Sequence, residues 1–295
     1  MKNRIFAIYG NPSSAVSFEA VEKICKKVQQ NKGSLLIYEP LYKEFVKIQK
    51  VEFEAEFFNE GDLLKNRADV VVSVGGDGTF LGTLPFIHDS EIPVMGINSG
   101  RLGFLANTQI EDIDEAFENF VNGNYNLDKR AVLQITPQID KPEYKLYALN
   151  DITVRRGENA NMLSFETVVD DCFLNNYWAD GIVFSTPTGS TAYSLSCGGP
   201  ILTPNAKAMI ITPIASHTLT VRPIVISDES IVKIKVSGRG ENFSLSVDSS
   251  SETVEIGSEL LIQKAPFYLS IVRFEHHSFY ETIRSKLMWG YDKRN

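Results

Sequence analysis

From residue 4 to about 125, short apolar runs alternate with amphipathic stretches. Ile5–Tyr9, Leu35–Tyr38, Val70–Val74 and Pro93–Ile97 are apolar segments of strand length, as expected for strands covered on both faces of a parallel sheet. Between the first two, Phe18, Val21, Ile24, Cys25 and Val28 recur at helical spacing, and Gly33 stands where such a helix would stop. A second stripe over Ile110–Val121 ends near Gly123. This rhythm predicts β-α-β units around a parallel sheet.

Beyond about residue 129 the period changes to two. Val132–Thr136, Phe165–Val169, Val232–Val236, Phe243–Val247 and Leu260–Gln263 alternate apolar and polar positions, which predicts an all-β region. Phe279, Ile283, Leu287 and Met288 then give a last helical stripe. The fold class that follows is α/β plus all-β, with an N-terminal α/β domain over 1–126 and a C-terminal β-rich domain over 127–271. No internal repeat, low-complexity tract or Pro/Ser-rich linker separates them.

A chain of 295 residues is about twice the commonest domain length, in keeping with two domains. Apolar residues at 43% and charged residues at 22% are ordinary for a folded protein and argue against long disorder. The net charge of −8 speaks against nucleic acid as a partner, because gripping a phosphate backbone needs a concentrated basic surface. It leaves room for a small anionic ligand held by backbone N–H groups. Cys25, Cys172 and Cys197 are widely spaced with no C-x-x-C pair, so neither a disulfide framework nor a zinc site is indicated. With no signal-peptide pattern at the start and no run near the roughly 20 apolar residues of a membrane span, the expectation is a soluble, cytoplasmic protein without a membrane partner.

Val70–Val74 runs directly into Gly75-Gly76-Asp77-Gly78-Thr79, and Phe80-Leu81 can begin a helix. In open α/β sheets, ligands gather at the carboxyl ends of strands. Glycines leave no Cβ between the backbone and a phosphate, while a helix N-terminus offers free N–H donors. A carboxylate in such a turn either binds a divalent cation or takes a proton from a reacting hydroxyl. Alternatively, Asp77 caps the helix that follows. Phosphofructokinases and diacylglycerol-type lipid kinases carry similar turns, so this motif points to a phosphotransferase and leaves the acceptor open.

The segment Asp180–Pro200 packs hydroxyls, glycines and Tyr193 into a short stretch. Such a loop lets a ligand lie against the backbone, with Tyr193 offering a flat face to a ring. The alternative is an ordinary Ser/Thr/Gly-rich loop whose tyrosine fills the core.

With this segment the chain resembles the NAD kinase family. The likeness includes Gly75–Thr79, Asn98–Leu105, Leu149-Asn150-Asp151, Asp180–Pro200, His217–Pro223 and Thr282–Trp289, nearly the whole chain. The resemblance implies Asp77 as the general base that activates the 2′-hydroxyl of NAD, within a phosphate turn of Gly75, Gly76 and Thr79. It implies NAD contacts from Gly78, Asn150, Asp151 and Asp180, and from Thr191, Ala192, Tyr193, Ser194 and Ser196 around the adenosine. It further implies ATP as phosphoryl donor, with polyphosphate open, and a divalent cation (Mg or Mn) whose ligands are unknown. The family fold returns its last helix, here within 272–295, to the first domain, and its members are homodimers or homotetramers.

Three positions depart from the family pattern. Asp151 stands where most members have glutamate, one methylene longer. Trp178 stands where some have arginine, and Ser250 near a position where some have glutamine. Arg101, between Gly100 and Gly103, is a candidate donor-phosphate contact. His276, His277 and His217 lack a partner at recognisable spacing and read as structural or surface residues. Arg155-Arg156 reads equally as a phosphate approach and as a solvated turn. A non-catalytic dinucleotide sensor and a lipid or sugar kinase are the rival functions.

Overall fold

The computed structural model describes residues 4–14, 17–100, 103–137, 144–157, 162–274 and 278–290. It divides into two compact units, Met1–Lys129 with Leu269–Asn295, and Arg130–Tyr268.

The first unit begins β1 (Ile5–Gly10), α1 (Ser17–Gln30), β2 (Ser34–Tyr38), α2 (Glu39–Gln49) and β3 (Glu56–Phe58). It continues with β4 (Val70–Val74), α3 (Asp77–Leu81), α4 (Leu84–Ile87), β5 (Val94–Asn98), β6 (Thr108–Gln109) and α5 (Ile113–Asn122). The apolar runs become the central strands: β4 and β5 are buried at every residue. The stripe of α1 buries Phe18, Val21, Ile24, Cys25 and Val28. Gly123 ends α5 with φ +80°, the left-handed conformation that glycine adopts without penalty. The strands pair in parallel in the order β5-β4-β1-β2-β3. The chain winds outward from β1 through β2 to β3, then returns to place β4 on the other side of β1. The carboxyl ends of β1 and β4, where Gly10 pairs with Val74, therefore flank a topological switch point, the usual ligand crevice of such sheets.

The second unit contains two antiparallel sheets. The chain supplies β7 (Asn126–Thr136), β8 (Leu146–Ala148), β9 (Asp151–Arg156), β10 (Leu163–Val169), β11 (Cys172–Ala179) and β12 (Gly181–Ser185). A 3₁₀ turn (Thr188–Thr191) and α6 (Tyr193–Ser196) follow. Then come β13 (Ala208–Ile214), β14 (Ile224–Ser227), β15 (Val232–Gly238), β16 (Asn242–Val247), β17 (Ser250–Glu255) and β18 (Glu259–Arg273). One sheet has the order β14-β13-β12-β9-β16-β17. In the other, β10 pairs with β11 and β15, and β15 with the start of β18. Their inward residues share one core, including Ile152, Phe165, Phe184, Ile211, Ile234 and Leu245. This is the period-two alternation of the sequence realised as a sandwich.

The last residues of β18 belong to the first unit, where Ile271 pairs in parallel with Val94. α7 (Phe279–Leu287) follows, opened by a capping box between Ser278 and Glu281. The ring of Phe279 lies 6.4 Å from that of Phe104.

Candidate active site

In the first unit the glycine turn leaves β4 at the switch point. Gly75 has φ +151°, and a Cβ there would collide with the side chain of Thr79, so only glycine fits. A Cβ on Gly76 or Gly78 would meet nothing within 4 Å. These two glycines are not needed for the protein's own packing, and their backbone faces open space.

The helix after the turn is short. Gly82 and Pro85 divide the apolar run, so α3 stops at Leu81 and α4 starts at Leu84. Asp77 is the first residue of α3, but its side chain does not cap that helix. Its carboxylate reaches across to the loop after β5. Phe104 N donates to Oδ2 at 2.8 Å, and Leu105 N and Ala106 N donate to Oδ1 at 3.0 and 3.1 Å. A carboxylate has about four lone-pair sites, so among the described residues one, on Oδ2, is left for a further donor. Gly103 makes the approach possible, since a Cβ there would run into Oδ1 of Asp77 and lie 3.0 Å from the Ala106 carbonyl. Asn98 closes the loop: its amide donates to Ala106 O at 3.1 Å and its carbonyl accepts from Gly100 N at 2.8 Å.

In the second unit Asn150 and Asp151 stand at the head of β9. The backbone of Asn150 is pinned on both sides, accepting from Thr186 N at 2.9 Å and donating to Oδ1 of Asp248 at 2.9 Å. Its side-chain amide takes no hydrogen-bond partner among the described residues. Asp248, at the β16–β17 turn with φ +50°, also accepts from Leu149 N at 2.7 Å and Asp151 N at 3.1 Å. Burial pushes the Asp248 carboxyl up to about 6, against the three N–H donors that favour its charged form. Burial likewise raises Asp151 to about 6, with the Thr153 hydroxyl acting in the opposite direction.

The hydroxyl-rich segment is not one loop. Gly181–Ser185 is a buried central strand, followed by the 3₁₀ turn and α6. Gly189 packs against the backbone of Asn150 so closely that a Cβ would overlap it, which joins the two motifs. Tyr193 is exposed, and Thr191 and Ala192 are half-buried. Ser196 is exposed, while Ser194 is buried with its hydroxyl 3.0 Å from that of Thr212. Asp180 forms an ion pair with Arg156 Nε at 2.8 Å. Trp178 is exposed, and its carbonyl accepts from His217 N at 2.9 Å. The hydroxyl of Ser250 closes its own turn on Val247 O at 2.9 Å. Arg101, His276 and His277 lie outside the described residues.

Two family models match the chain, the ATP-NAD kinase N-terminal domain over residues 6–125 and the ATP-NAD kinase C-terminal domain over residues 149–274. The chain belongs to the NAD kinase family. A relative named NAD kinase from Christiangramia forsetii is 41% identical over 290 residues, covering 98% of this chain and 99% of that one. In fold, the chain is similar to a yeast NADH kinase crystallised with NADH, with a TM-score of 0.87, 24% identity and coverage of 98% of this chain and 89% of that one. It is also similar to an NAD kinase from Archaeoglobus fulgidus in complex with ATP, with a TM-score of 0.71, 22% identity and coverage of 96% and 98%.

For an NAD kinase, two groups in this chain escape sequence reasoning. Asp248 forms no motif with Leu149–Asp151, nor does Arg273 with Phe104 and Leu105, to whose carbonyls it donates at 3.2 and 3.4 Å, and nothing in their local sequence signals those contacts. Neither described unit offers a dedicated metal cage. Among the described residues no three His, Cys, Asp or Glu side chains come together, and three of the lone-pair sites of Asp77 are already taken.

Proposed function

We propose that the chain phosphorylates the 2′-hydroxyl of the adenosine ribose of NAD, with ATP as donor and Asp77 as general base. One observation carries the assignment to Asp77: its carboxylate is fixed by three backbone donors with one acceptor site left, beside two glycines whose backbone is open. A hydroxyl hydrogen-bonded to Oδ2 would be oriented and could pass its proton there as the new O–P bond forms and the bond from the γ-phosphorus to the bridging oxygen breaks, releasing ADP. The open amides around Gly76 and Gly78 suit phosphate oxygens. Asn150, with a free amide on a rigid backbone, and exposed Tyr193 suit the adenosine. A cation bound with the donor would neutralise phosphate charge.

The A. fulgidus complex with ATP and the yeast complex with NADH support these ligand classes. The family resemblance further suggests a cytoplasmic homodimer or homotetramer, and the exposed Trp178 and Leu219 offer apolar surface for self-association. The test is Asp77→Asn, with NADP formation followed by a coupled dehydrogenase and NAD affinity by calorimetry. Affinity should stay within about threefold while the rate falls by roughly three orders of magnitude. A variant with near-normal turnover would sink the general-base assignment. Trying ATP and polyphosphate against NAD and NADH fixes donor and acceptor, and no NADP with any donor would leave the sensor reading.

A further inference from the structure

Two of the three peptide groups that hold Asp77 by their N–H ends are held by their carbonyl ends as well. Arg273, the last residue of β18, donates from one terminal guanidinium nitrogen to Phe104 O at 3.2 Å and from the other to Leu105 O at 3.4 Å. Phe104 O and Leu105 N belong to one peptide group, and Leu105 O and Ala106 N to the next. Arg273 and Asp77 thus stand at opposite ends of the same two peptide dipoles, the cation at the oxygens and the anion at the N–H groups. Each charge favours the orientation that the other needs, and turning either peptide plane would break a bond at both ends. The guanidinium is itself oriented by Asp128, whose Oδ2 lies 3.3 Å from Nε, and the Arg273 side chain is only 16% exposed. With the Ala106 carbonyl taken by Asn98 and Gly103, every backbone polar group of residues 104–106 has a partner in this arrangement.

We infer that Arg273 is a positioning residue for the base, fixing the Phe104–Ala106 segment so that the free acceptor site of Asp77 points constantly in one direction. This rests on the assignment of Asp77 as base. The group that Arg273 orients acts in the transition state, so its loss appears in turnover and not in ligand affinity. Misplacement of a reacting group by about 1 Å is worth on the order of 100-fold in rate.

The experiment is a double-mutant cycle of Arg273→Met and Asp77→Asn, reading kcat, KM for NAD and ATP, and the residual rate by chromatography of NADP. Arg273→Met should lose about 10- to 100-fold in kcat with both KM values within about threefold. Added to Asp77→Asn, it should change the residual rate by less than about twofold, because the group through which it works has gone. Equal losses in both backgrounds, or a near-normal kcat for Arg273→Met, overturn the inference. If Arg273→Met does not fold, Arg273→Lys, which keeps a cation but reaches one carbonyl, enters the same cycle with the same two readings. Failure of the base assignment shows separately, as normal turnover in Asp77→Asn alone.

Discussion

The amide nitrogen of Asn150 donates to Oδ1 of Asp248 at 2.9 Å, the middle one of three consecutive amides that converge on that carboxylate. Asp77 does the same with the amides of Phe104, Leu105 and Ala106. Both units therefore fix a backbone segment by folding it around a carboxylate. The two differ in what is left over: Asp77 keeps an acceptor site beside open backbone, whereas Asp248 is buried enough that desolvation shifts its titration.

Replacing Asp248 by alanine leaves those three amides without their acceptor. A loss of about 1–3 kcal/mol in stability is expected, measurable by urea unfolding. Because the amides belong to Leu149, Asn150 and Asp151, KM for NAD should rise about tenfold or more while kcat changes less. A variant with wild-type KM would show that the clamp serves folding alone.

Gly103→Ala and Gly78→Ala should separate cleanly. At Gly103 the added methyl meets Oδ1 of Asp77, so kcat should fall by about tenfold or more as the base is displaced. At Gly78 the methyl meets no protein atom and alanine favours the helix, so the melting temperature should hold or rise slightly. Ligand affinity should nevertheless drop, because the proposed function puts the substrate in that open space. An unchanged KM for both substrates in Gly78→Ala would contradict that placement.

Asp151 sets a pH dependence whose sign is fixed. Burial raises its carboxyl from the ordinary 3.8 to about 6, so the folded protein favours the neutral form. That contribution is fully present below about pH 4 and is lost as pH rises through about 6. Asp151→Asn, neutral at every pH, should therefore gain stability relative to the parent between pH 4.5 and pH 7.5, by up to ~2 kcal/mol. Parallel melting curves with a constant difference across that range would refute it.

Much of this architecture was legible because burial leaves a periodic trace. The continuous run Val70–Val74 could only be a covered strand, and the stripe from Phe18 to Val28 only an amphipathic helix. α2 leaves a weaker trace, since Pro40 begins it and only Leu41 and Phe45 are buried. The stretch from Gly181 was harder still, because the central strand Gly181–Ser185 runs straight into the threonines, serines and glycines that follow it, and its one hydroxyl, on Ser185, donates to Thr186 O at 3.0 Å. Site chemistry divides in the same way. Asp77 is visible in a local motif, but the partners that define its geometry are 27 to 29 residues away, and those of Asp248 are 97 to 99 away. Such contacts are made by topology, and no spacing rule encodes them.

The strand Glu259–Arg273 has a consequence for how the protein comes into being. On the ribosome, residues up to Lys129 emerge first, but the strand that lies beside Val94 and the guanidinium that steadies Phe104–Ala106 follow only after residues 130–268 have been made. The first unit is thus split along the chain, and a nascent chain holding the complete glycine turn still lacks the guanidinium that bonds Phe104 and Leu105.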